Sequence, residues 1–351
     1  MPDTAVEGRP ALGSERAVAG AAIGAVGMAV PEHVIENAEV AERLGVEESW
    51  IVTRTGILRR HALAPDERLS DLAAKAGRAA LENAQLDAED LDLVLVGTTS
   101  KDEITPDAAP LVAAELGAHR AGALDIGAAC TGFVSAVAMA RGQIETGVAE
   151  RVLVIGADAL HRYLDHDDRR TAALFGDGAG AVVMTATEPP GRISRPVLKA
   201  DGAQADLTYA KIDEAKIRMK GHETFQNAVR RLDEVTKQVL ELAETDIDGV
   251  DLFVYHQANR RILKAVGEKL DLPSDRVVDA IENYGNTSAA TIPIALAEAA
   301  ADGRLVDGSR VFMAGFGAGF TWCGVLVDWG LDGAAGDAGE ASNGSEGGDG
   351  A

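Results

Sequence analysis

Residues 125–133 read D-I-G-A-A-C-T-G-F and place Cys130 between small residues, where an apolar strand is expected to give way to a helix. Backbone N–H groups and the positive end of a helix dipole beside a thiol favour the thiolate, and hence nucleophilic reactivity. A lone cysteine is, however, more often a small buried hydrophobic residue. The stretch therefore indicates a candidate nucleophile, and residues elsewhere must decide between the two interpretations.

The composition indicates a tightly packed α/β protein. The 351 residues are 46% hydrophobic but only 4% aromatic, and the formal net charge is −23. Such a charge argues against nucleic acid and anionic membrane surfaces as partners. The two cysteines, Cys130 and Cys323, make no disulfide framework and suit a reducing compartment, so we expect a cytoplasmic protein. No stretch reaches the roughly 18 apolar residues of a membrane span.

The order of the predicted helices and strands repeats after about residue 190. Residues 86–97 correspond to residues 245–256, since each is an acidic turn followed by an apolar strand, and the two segments are 159 residues apart. The Cys130 stretch corresponds in the same way to the Y-G-N-T-S-A-A segment around Asn286. The sequence therefore predicts two duplicated α/β halves, residues 17–190 and 191–330. Residues 1–16 and the acidic, glycine-rich tail 331–351 are predicted to be disordered.

Three side chains that could take part in catalysis fall at the ends of predicted strands. Alternating helices and near-continuous apolar strands imply mixed or parallel sheets covered on both faces. Ligands of such sheets gather at the carboxyl ends of the strands. Cys130, His256 and Asn286 each fall at that end of a predicted strand. Two packed halves can therefore bring all three to one cavity. Residues 50–57 are predicted to be extended or turning, and residues 288–300 to form a helix.

Six motifs carry a resemblance to a known family. They are W-I-V-T-R-T-G-I (50–57), A-A-C-T-G-F (128–133), F-G-D-G-A-G-A (175–181), H-Q-A-N (256–259), G-N-T-S-A-A (285–290) and G-F-G-A-G-F-T-W (315–322). With these motifs in order over residues 17–329, the sequence closely resembles β-ketoacyl-acyl-carrier-protein synthase III of the thiolase superfamily. The resemblance implies a thiolase-like α/β fold, in which two duplicated αβα halves form a five-layer αβαβα core.

The resemblance also implies a reaction. It is a decarboxylative Claisen condensation of an acyl-CoA primer with malonyl-acyl-carrier protein, which gives 3-ketoacyl-acyl-carrier protein and CO₂ and starts fatty-acid synthesis. Cys130 would hold the acyl group, and His256 and Asn286 would donate hydrogen bonds to the enolate. The backbone N–H groups of Cys130 and Ala318 would form an oxyanion hole, with Ala318 in place of the commoner glycine. No metal or organic cofactor is implied.

Further residues match the family's substrate contacts. Those expected to bind CoA are Trp50, Arg54, Arg169, Gly221, Phe225 and Asn259. Arg260, Arg261 and Lys264 form a basic patch that suits an acidic carrier protein, and Arg261 matches the family's contact with it.

The resemblance also bears on assembly and primer. It implies a homodimer in which Thr105 lies near the partner's acyl pocket. Thr105 stands where relatives restricted to short primers carry a bulky aromatic residue, which predicts a deeper pocket. Cys323 stands where glycine is usual and is interpreted as a buried bystander.

Other functions compete with this interpretation. Cysteine, histidine and asparagine in this order also occur in papain-like proteases, but the cysteine motif here is different. A priming ketosynthase or acyltransferase of polyketide or other secondary metabolism would use the same residues with another acceptor, and the sequence does not separate the two. A catalytically silent partner that only binds carrier protein would typically have lost the nucleophile, which this chain retains.

Overall fold

The computed structural model describes residues 19–331, which form two main sheets and nine α-helices. The strands are β1 (Gly20–Ala29), β2 (Val34–Glu36), β3 (Arg59–His61), β4 (Leu93–Gly97), β5 (Gly122–Ile126), β6 (Arg151–Ala159), β7 (Asp177–Thr187), β8 (Val197–Ala200), β9 (Thr208–Ala210), β10 (Ile217–Met219), β11 (Leu252–Tyr255), β12 (Arg310–Gly317) and β13 (Thr321–Asp328). The helices are α1 (Asn37–Leu44), α2 (Glu48–Thr55), α3 (Leu69–Ala84), α4 (Ala108–Leu116), α5 (Gly132–Glu145), α6 (Gly221–Leu242), α7 (Arg260–Leu270), α8 (Ile281–Tyr284) and α9 (Thr291–Ala301).

Both main sheets are mixed. The N-terminal sheet has the order β1-β7-β6-β4-β5, in which β4 runs parallel to β5 and β6, and β7 runs antiparallel to β6 and β1. The C-terminal sheet has the order β11-β12-β13-β8, in which only β11 and β12 pair in parallel. The strands of the first sheet lie within residues 20–187 and those of the second within residues 197–328, on either side of the expected boundary at residue 190.

The sheets and helices stack in five layers. Helices α3 and α4 cover the outer face of the N-terminal sheet, and α6 and α7 cover the outer face of the C-terminal sheet. Helices α5 and α9 lie between the two sheets, where Val137 and Leu296 share one core with Val154 of β6 and Val325 of β13. This arrangement confirms the αβαβα architecture.

Local sequence explains why the middle layer is so tight. Helix α9 reads T-I-P-I-A-L-A-E-A-A-A and is apolar on most sides, as expected for a helix packed between two sheets. At Gly156 of β6, a Cβ atom would lie 2.2 Å from the backbone oxygen of Ala289. The close approach of the N-terminal sheet to residues 288–290 therefore requires glycine at this position.

Several predicted elements differ from the observed ones. Residues 50–57 are mostly helical, because Ile51 and Thr55 share a buried face of α2 and Gly56 ends the helix with φ 79°. The predicted helix 288–300 is a 3₁₀ turn, Ser288–Ala290, followed by α9. Asn286 follows the short helix α8 rather than a strand.

Two sequence expectations concern the ends of the chain and membranes. The segments predicted to be disordered, residues 1–16 and 331–351, lie outside the described residues except for Leu331. Within residues 19–331, no helix has both the length and the apolar content needed to cross a membrane.

Candidate active site

Cys130 lies in the short 3₁₀ turn Ala129–Thr131, between the end of β5 and the start of α5. The turn begins with Ala129 in the left-handed region, at φ 49°. The hydroxyl of Thr131 donates to the backbone oxygen of Ala128 at 2.6 Å, and its oxygen lies 3.1 Å from Thr321 Oγ1. These contacts fix the turn and tie it to the start of β13. The residue as a whole is half-buried, whereas its thiol is enclosed by the surrounding residues.

The thiol of Cys130 is neutral in the resting protein. Burial raises its pKa to about 12, and this effect outweighs the hydrogen bond from Ser288, which lowers the pKa. The charge of Asp158 raises the pKa further. The sequence favoured a thiolate because a helix begins beside the cysteine, but the desolvation of a charged sulfur at this buried position works against it.

His256 immediately follows β11 and is only 1% exposed. Its backbone N–H donates to the oxygen of Ala314 at 2.8 Å, which extends the pairing of β11 with β12. The next residue, Gln257, donates to the backbone oxygens of Tyr255 and Val278 and accepts from the N–H of Ala280. This buried amide clamps the loop that carries the histidine.

The imidazole of His256 is neutral. Burial lowers its pKa to about 3, because an imidazolium would lose its hydration there. Its Nδ1 atom lies 2.6 Å from Thr291 Oγ1 at the start of α9. Phe316 packs edge-to-face against the ring, with centroids 5.3 Å apart. A neutral ring held in this way has one N–H that it can donate.

Asn286 is held by its backbone and by its side chain. Its N–H donates to the oxygen of Leu174 at 2.9 Å, and its oxygen accepts from the N–H of Gly176 at 3.1 Å, which makes a bridge to Phe175. Its Oδ1 atom accepts from the N–H of Ser288 at 2.9 Å. Since the carboxamide oxygen is engaged in this way, the orientation of the NH₂ group is also fixed.

The three side chains meet at one place. Ser288 Oγ lies 3.4 Å from Cys130 Sγ, while the N–H of the same residue holds Asn286. A Cβ atom at Gly315 would lie 3.5 Å from the Cβ of His256 and 3.7 Å from the backbone oxygen of Cys130, so both flank this glycine. The structure therefore brings Cys130, His256 and Asn286 together, although Asn286 does not end a strand.

The end of β12 and the loop after it approach the backbone of Cys130. A Cβ atom at Gly317 would lie 2.8 Å from the backbone nitrogen of Cys130, so only glycine allows this approach. The next residue, Ala318, accepts from Thr321 Oγ1 at 3.4 Å, and Thr321 is the residue that Thr131 contacts. The two segments that carry the predicted oxyanion-hole N–H groups are therefore linked.

Sequence reasoning missed the buried carboxylate of Asp158. Its Oδ1 atom accepts from the N–H of Thr99 at 2.9 Å and from the hydroxyls of Thr98, Thr99 and Ser100. Its Oδ2 atom accepts from the N–H of Ala289 at 3.1 Å. The aspartate thus joins the N-terminal sheet to the Asn286 segment. In the sequence, Asp158 is a single aspartate within the apolar run of β6, and its hydroxyl partners Thr98 and Ser100 are 60 and 58 residues away.

Some of the residues expected to bind CoA lie together. The guanidinium of Arg54 lies 4.5 Å from the ring centre of Trp50, and Asn259 Nδ2 donates to the backbone oxygen of Arg54 at 3.0 Å. Asn259 also caps α7 by accepting from the N–H of Arg261 at 2.9 Å. Arg169 is exposed and donates to the backbone oxygen of Leu44, at the end of α1.

The remaining expected CoA residues lie on α6. Gly221 begins this helix, and Phe225 is half-buried one turn later. The guanidinium of Arg261 lies 5.9 Å from the ring centre of Phe225. The start of α6 therefore adjoins the start of α7, where the expected basic patch begins.

The basic patch contains fewer unpaired cations than the sequence predicted, because Arg260 is paired within the chain. Arg260 is ion-paired with Asp279 at 2.6 Å and with Glu282 at 3.0 Å, so its charge is largely compensated within the chain. Lys264 is 76% exposed and makes only a long contact of 3.8 Å with Glu268. Arg261 is exposed as well. The cations that face solvent here are therefore Arg261 and Lys264.

Thr105 and Cys323 complete the predicted residues. Thr105 is exposed on the loop between β4 and α4, next to Ile104, which is 90% exposed. Cys323 is buried in β13, and burial raises the pKa of its thiol to about 12. It lines a cavity of about 270 Å³ together with Ala128, Thr131, Ser135, Leu198, Lys199, Ala200, Thr321 and Trp322.

Comparisons with known proteins show which family the chain resembles. The profile of "3-Oxoacyl-[acyl-carrier-protein (ACP)] synthase III" matches residues 124–202, and that of the C-terminal part of the same family matches residues 240–329. A protein named β-ketoacyl-[acyl-carrier-protein] synthase III 2, from Streptomyces coelicolor, is 44% identical over 89% of this chain and 94% of its own.

Solved structures are similar over the same region. The 3-oxoacyl-[acyl-carrier-protein] synthase III of Aquifex aeolicus has a TM-score of 0.85 at 42% identity, covering 88% of this chain and 100% of its own. The priming β-ketosynthase of the R1128 polyketide pathway has a TM-score of 0.86 at 33% identity, covering 91% of this chain and 98% of its own.

Proposed function

The chain belongs to the β-ketoacyl-[acyl-carrier-protein] synthase III family, and we propose that Cys130, His256 and Asn286 carry out the family's condensation in it. The protein is an acyltransferase that makes the initiating condensation of fatty-acid synthesis. The position of Ser288 is the main support for assigning these roles, because Ser288 contacts both Cys130 Sγ and Asn286 Oδ1. A nucleophile and two neutral donors at one site suit formation of a carbon–carbon bond.

In the first half-reaction, the sulfur of Cys130 attacks the carbonyl carbon of an acyl-CoA thioester. The new carbon–sulfur bond joins the acyl group to Cys130, the bond to the CoA sulfur breaks, and the thiol proton ends on that sulfur. The N–H groups of Cys130 and Ala318 stabilise the oxyanion of the tetrahedral intermediate. The neutral resting thiol fits a proton that leaves during attack.

In the second half-reaction, the malonyl group of malonyl-acyl-carrier protein loses CO₂. The electron pair of the broken bond forms an enolate, whose oxygen accepts hydrogen bonds from His256 and Asn286. The enolate carbon attacks acyl-Cys130, the bond between the acyl carbon and the sulfur breaks, and the sulfur takes up a proton from solvent. Neutral donors suit this step because they stabilise the developing charge without burying a permanent one, whereas a carboxylate would oppose it.

The substrate contacts are part of the proposal. CoA binds along Trp50, Arg54, Arg169, Gly221, Phe225 and Asn259. The carrier protein docks at Arg261 and Lys264, whose exposed charges complement an acidic partner on a chain of net charge −23. Both half-reactions use only side chains, backbone N–H groups and the two thioesters, so we propose that no metal or organic cofactor takes part.

The assembly we propose is a cytoplasmic homodimer that joins through the edge strand β5. Within residues 19–331 this strand pairs only with β4, and its Leu124 is 56% exposed. Met139 on α5 is 44% exposed. A free sheet edge with apolar side chains is a template for pairing with a second copy. The exposed Ile104–Thr105 loop then reaches the partner's acyl pocket, for which the cavity beside Thr131 is our candidate.

Sedimentation of Leu124→Lys tests whether β5 forms the dimer interface. We expect this variant to be a monomer, and a retained dimer would contradict the proposed interface.

A second function has a specific observation behind it. The R1128 priming β-ketosynthase is as similar in structure as the fatty-acid enzymes, although its sequence identity is lower. A priming role in secondary metabolism would use the same residues with a different carrier protein. Parallel assays with the carrier proteins of the two kinds of pathway distinguish these functions.

Two variants test the roles of the donors. Purified protein is given an acyl-CoA and malonyl-acyl-carrier protein, and 3-ketoacyl product and CO₂ are measured for wild type, His256→Ala and Asn286→Ala. We expect each variant to lose decarboxylation and condensation roughly a hundredfold or more, which is the typical effect of removing one oxyanion donor. Acylation of Cys130 should remain. Full decarboxylation by both variants would contradict the proposal.

A further inference from the structure

The hydrogen bond between His256 and Thr291 decides which nitrogen of the imidazole carries its proton. Thr291 Oγ1 lies 2.6 Å from Nδ1, and both residues are at most 2% exposed. The ring is neutral, so one nitrogen carries a proton and the other a lone pair. The state of Nδ1 therefore fixes what Nε2 can do for a substrate.

Two arrangements of protons fit these atoms. In the first, Nδ1–H donates to Thr291 Oγ1, and the hydroxyl donates to the backbone oxygen of Ser288, 3.0 Å away. In the second, the hydroxyl donates to Nδ1, and Nε2 carries the ring proton. The first leaves a bare lone pair on Nε2, whereas the second makes Nε2 a donor.

The distances favour the second arrangement. A separation of 2.6 Å is short for an N–H donor, which usually stays near 2.9–3.0 Å from an oxygen. The backbone oxygen of Ser288 does not depend on the hydroxyl, because it already accepts the backbone N–H of Thr291 at the end of the 3₁₀ turn. The hydroxyl proton is therefore available for the histidine.

We propose that Thr291 is a positioning residue that donates its hydroxyl proton to His256 Nδ1 and so keeps the N–H of the ring on Nε2. The inference rests on the proposed function of His256 as a donor to the enolate. Without the hydroxyl, the ring could place its proton on Nδ1, and Nε2 would then present a lone pair to the developing negative charge. Such a histidine would oppose the step that it should assist.

The same segment orients the second donor. The N–H of Ser288 engages Asn286 Oδ1, which leaves the NH₂ group of the carboxamide as the donor. Asp158 holds this segment through the N–H of Ala289. The segment from Asn286 to Thr291 thus supplies one donor and sets the proton position of the other. Both enolate donors are fixed before any substrate arrives.

The direct test is the ¹⁵N NMR spectrum of wild-type protein labelled at the histidine rings, with His256 assigned by comparison with His256→Gln. We expect a pyridine-type signal for Nδ1 and a pyrrole-type signal with a directly bonded proton for Nε2. The reverse pattern in the wild type would overturn the inference. This measurement does not require any threonine variant to fold.

Two threonine variants connect the tautomer to the reaction. Thr291→Val replaces the hydroxyl with a methyl group of similar size, and Thr291→Ser keeps the hydroxyl. For Thr291→Val, we expect decarboxylation of malonyl-acyl-carrier protein to fall roughly tenfold or more, since a buried ring nitrogen loses its partner. Acylation of Cys130 should change less than twofold. Thr291→Ser should restore decarboxylation, which a purely structural role in packing would not predict.

The outcomes separate the inference from the function on which it rests. If His256→Ala decarboxylates normally while Cys130 is still acylated, the donor role of His256 is wrong, and the inference falls with it. If His256→Ala is impaired but Thr291→Val retains full decarboxylation and the Nε2–H signal, only the role of Thr291 is wrong.

Discussion

The hydroxyl of Ser288 lies 3.4 Å from the thiol of Cys130, and Ser288 occupies the left-handed region at φ 54°. This hydroxyl lowers the pKa of a thiol that burial raises to about 12. Hydrogen bonds to charged groups contribute about 1.5–3 kcal/mol. We therefore expect Ser288→Ala to acylate Cys130 roughly ten- to a hundredfold more slowly, measured by rapid-quench mass spectrometry.

The matched control for this variant is Ser288→Gly, which also lacks the hydroxyl but adopts positive φ without strain. Both variants should be slow to a similar degree. If Ser288→Ala reacts as fast as wild type, the hydroxyl does not assist the thiol.

The buried carboxylate of Asp158 should contribute to stability. Asp158→Asn replaces an acceptor-only group with one that carries two donors, so either the N–H of Ala289 or the cluster of donors at residues 98–100 loses its partner. Leaving a buried donor unsatisfied costs about 1–3 kcal/mol. We expect the free energy of unfolding in urea to fall by that amount. Asp66→Asn, at an exposed position, should change it little, and equal stability of the two variants would contradict this role.

The carrier-protein surface can be tested by charge reversal. Arg261→Glu should raise KM for malonyl-acyl-carrier protein roughly three- to tenfold at low salt, because exposed charges mainly steer the encounter. The difference should shrink as salt increases. Lys75→Glu, on the outer face of α3, makes the same charge change far from the site and should leave KM unaltered. An equal effect of both variants would point to net charge rather than a docking surface.

The half-buried imidazole of His161 should make the free energy of unfolding depend on pH. Burial, aided by His166, Arg60 and His33, lowers its pKa to about 4, whereas an unfolded histidine titrates near 6.5. Between pH 4 and pH 6.5, the unfolded chain binds more protons at His161 than the folded protein does. The stabilising contribution of the neutral imidazole is therefore present above pH 6.5 and is lost as the pH falls towards 4. Its size is on the order of 2–3 kcal/mol.

Asp177 acts in the opposite direction, since burial raises its pKa to about 6 and its ionisation destabilises the fold as pH rises. Because Asp177 offsets part of the effect of His161, the pH dependence of unfolding must be compared between wild type and a His161 variant. We expect His161→Gln to lose less stability than wild type between pH 7.5 and pH 4.5, as measured by urea unfolding. The exposed His119→Gln should follow wild type, and an unchanged pH dependence in His161→Gln would show that His161 does not titrate as described.

The architecture could be predicted because apolar strands and helices alternate and then repeat. Strand β6 and helix α9 are nearly continuous apolar runs, which only a layered core accommodates. The helix at residues 48–55 was missed because its β-branched residues favour extended structure, while its buried face depends on α1 and residues 172–173.

The candidate side chains Cys130, His256 and Asn286 could be singled out because each stands in a distinctive motif. The residues that position them are ordinary hydroxyl and carboxylate types, such as Thr291 and Asp158, whose roles depend on contacts between distant segments. The pairing of Arg260 with Asp279 and Glu282 is also set by tertiary structure. It forms because the start of α7 lies beside α8 and the residues just before α8. Local sequence carries no signal for such contacts.

The central claim is that Cys130 is the acyl-accepting nucleophile. Intact-protein mass spectrometry after incubation with acyl-CoAs of increasing chain length tests it, using wild type, Cys130→Ala and the matched thiol control Cys323→Ala. We expect one acyl group on wild type and on Cys323→Ala, none on Cys130→Ala, and a preferred chain length that identifies the primer. An acyl group that persists on Cys130→Ala, or a wild type that no acyl-CoA labels, would contradict the claim.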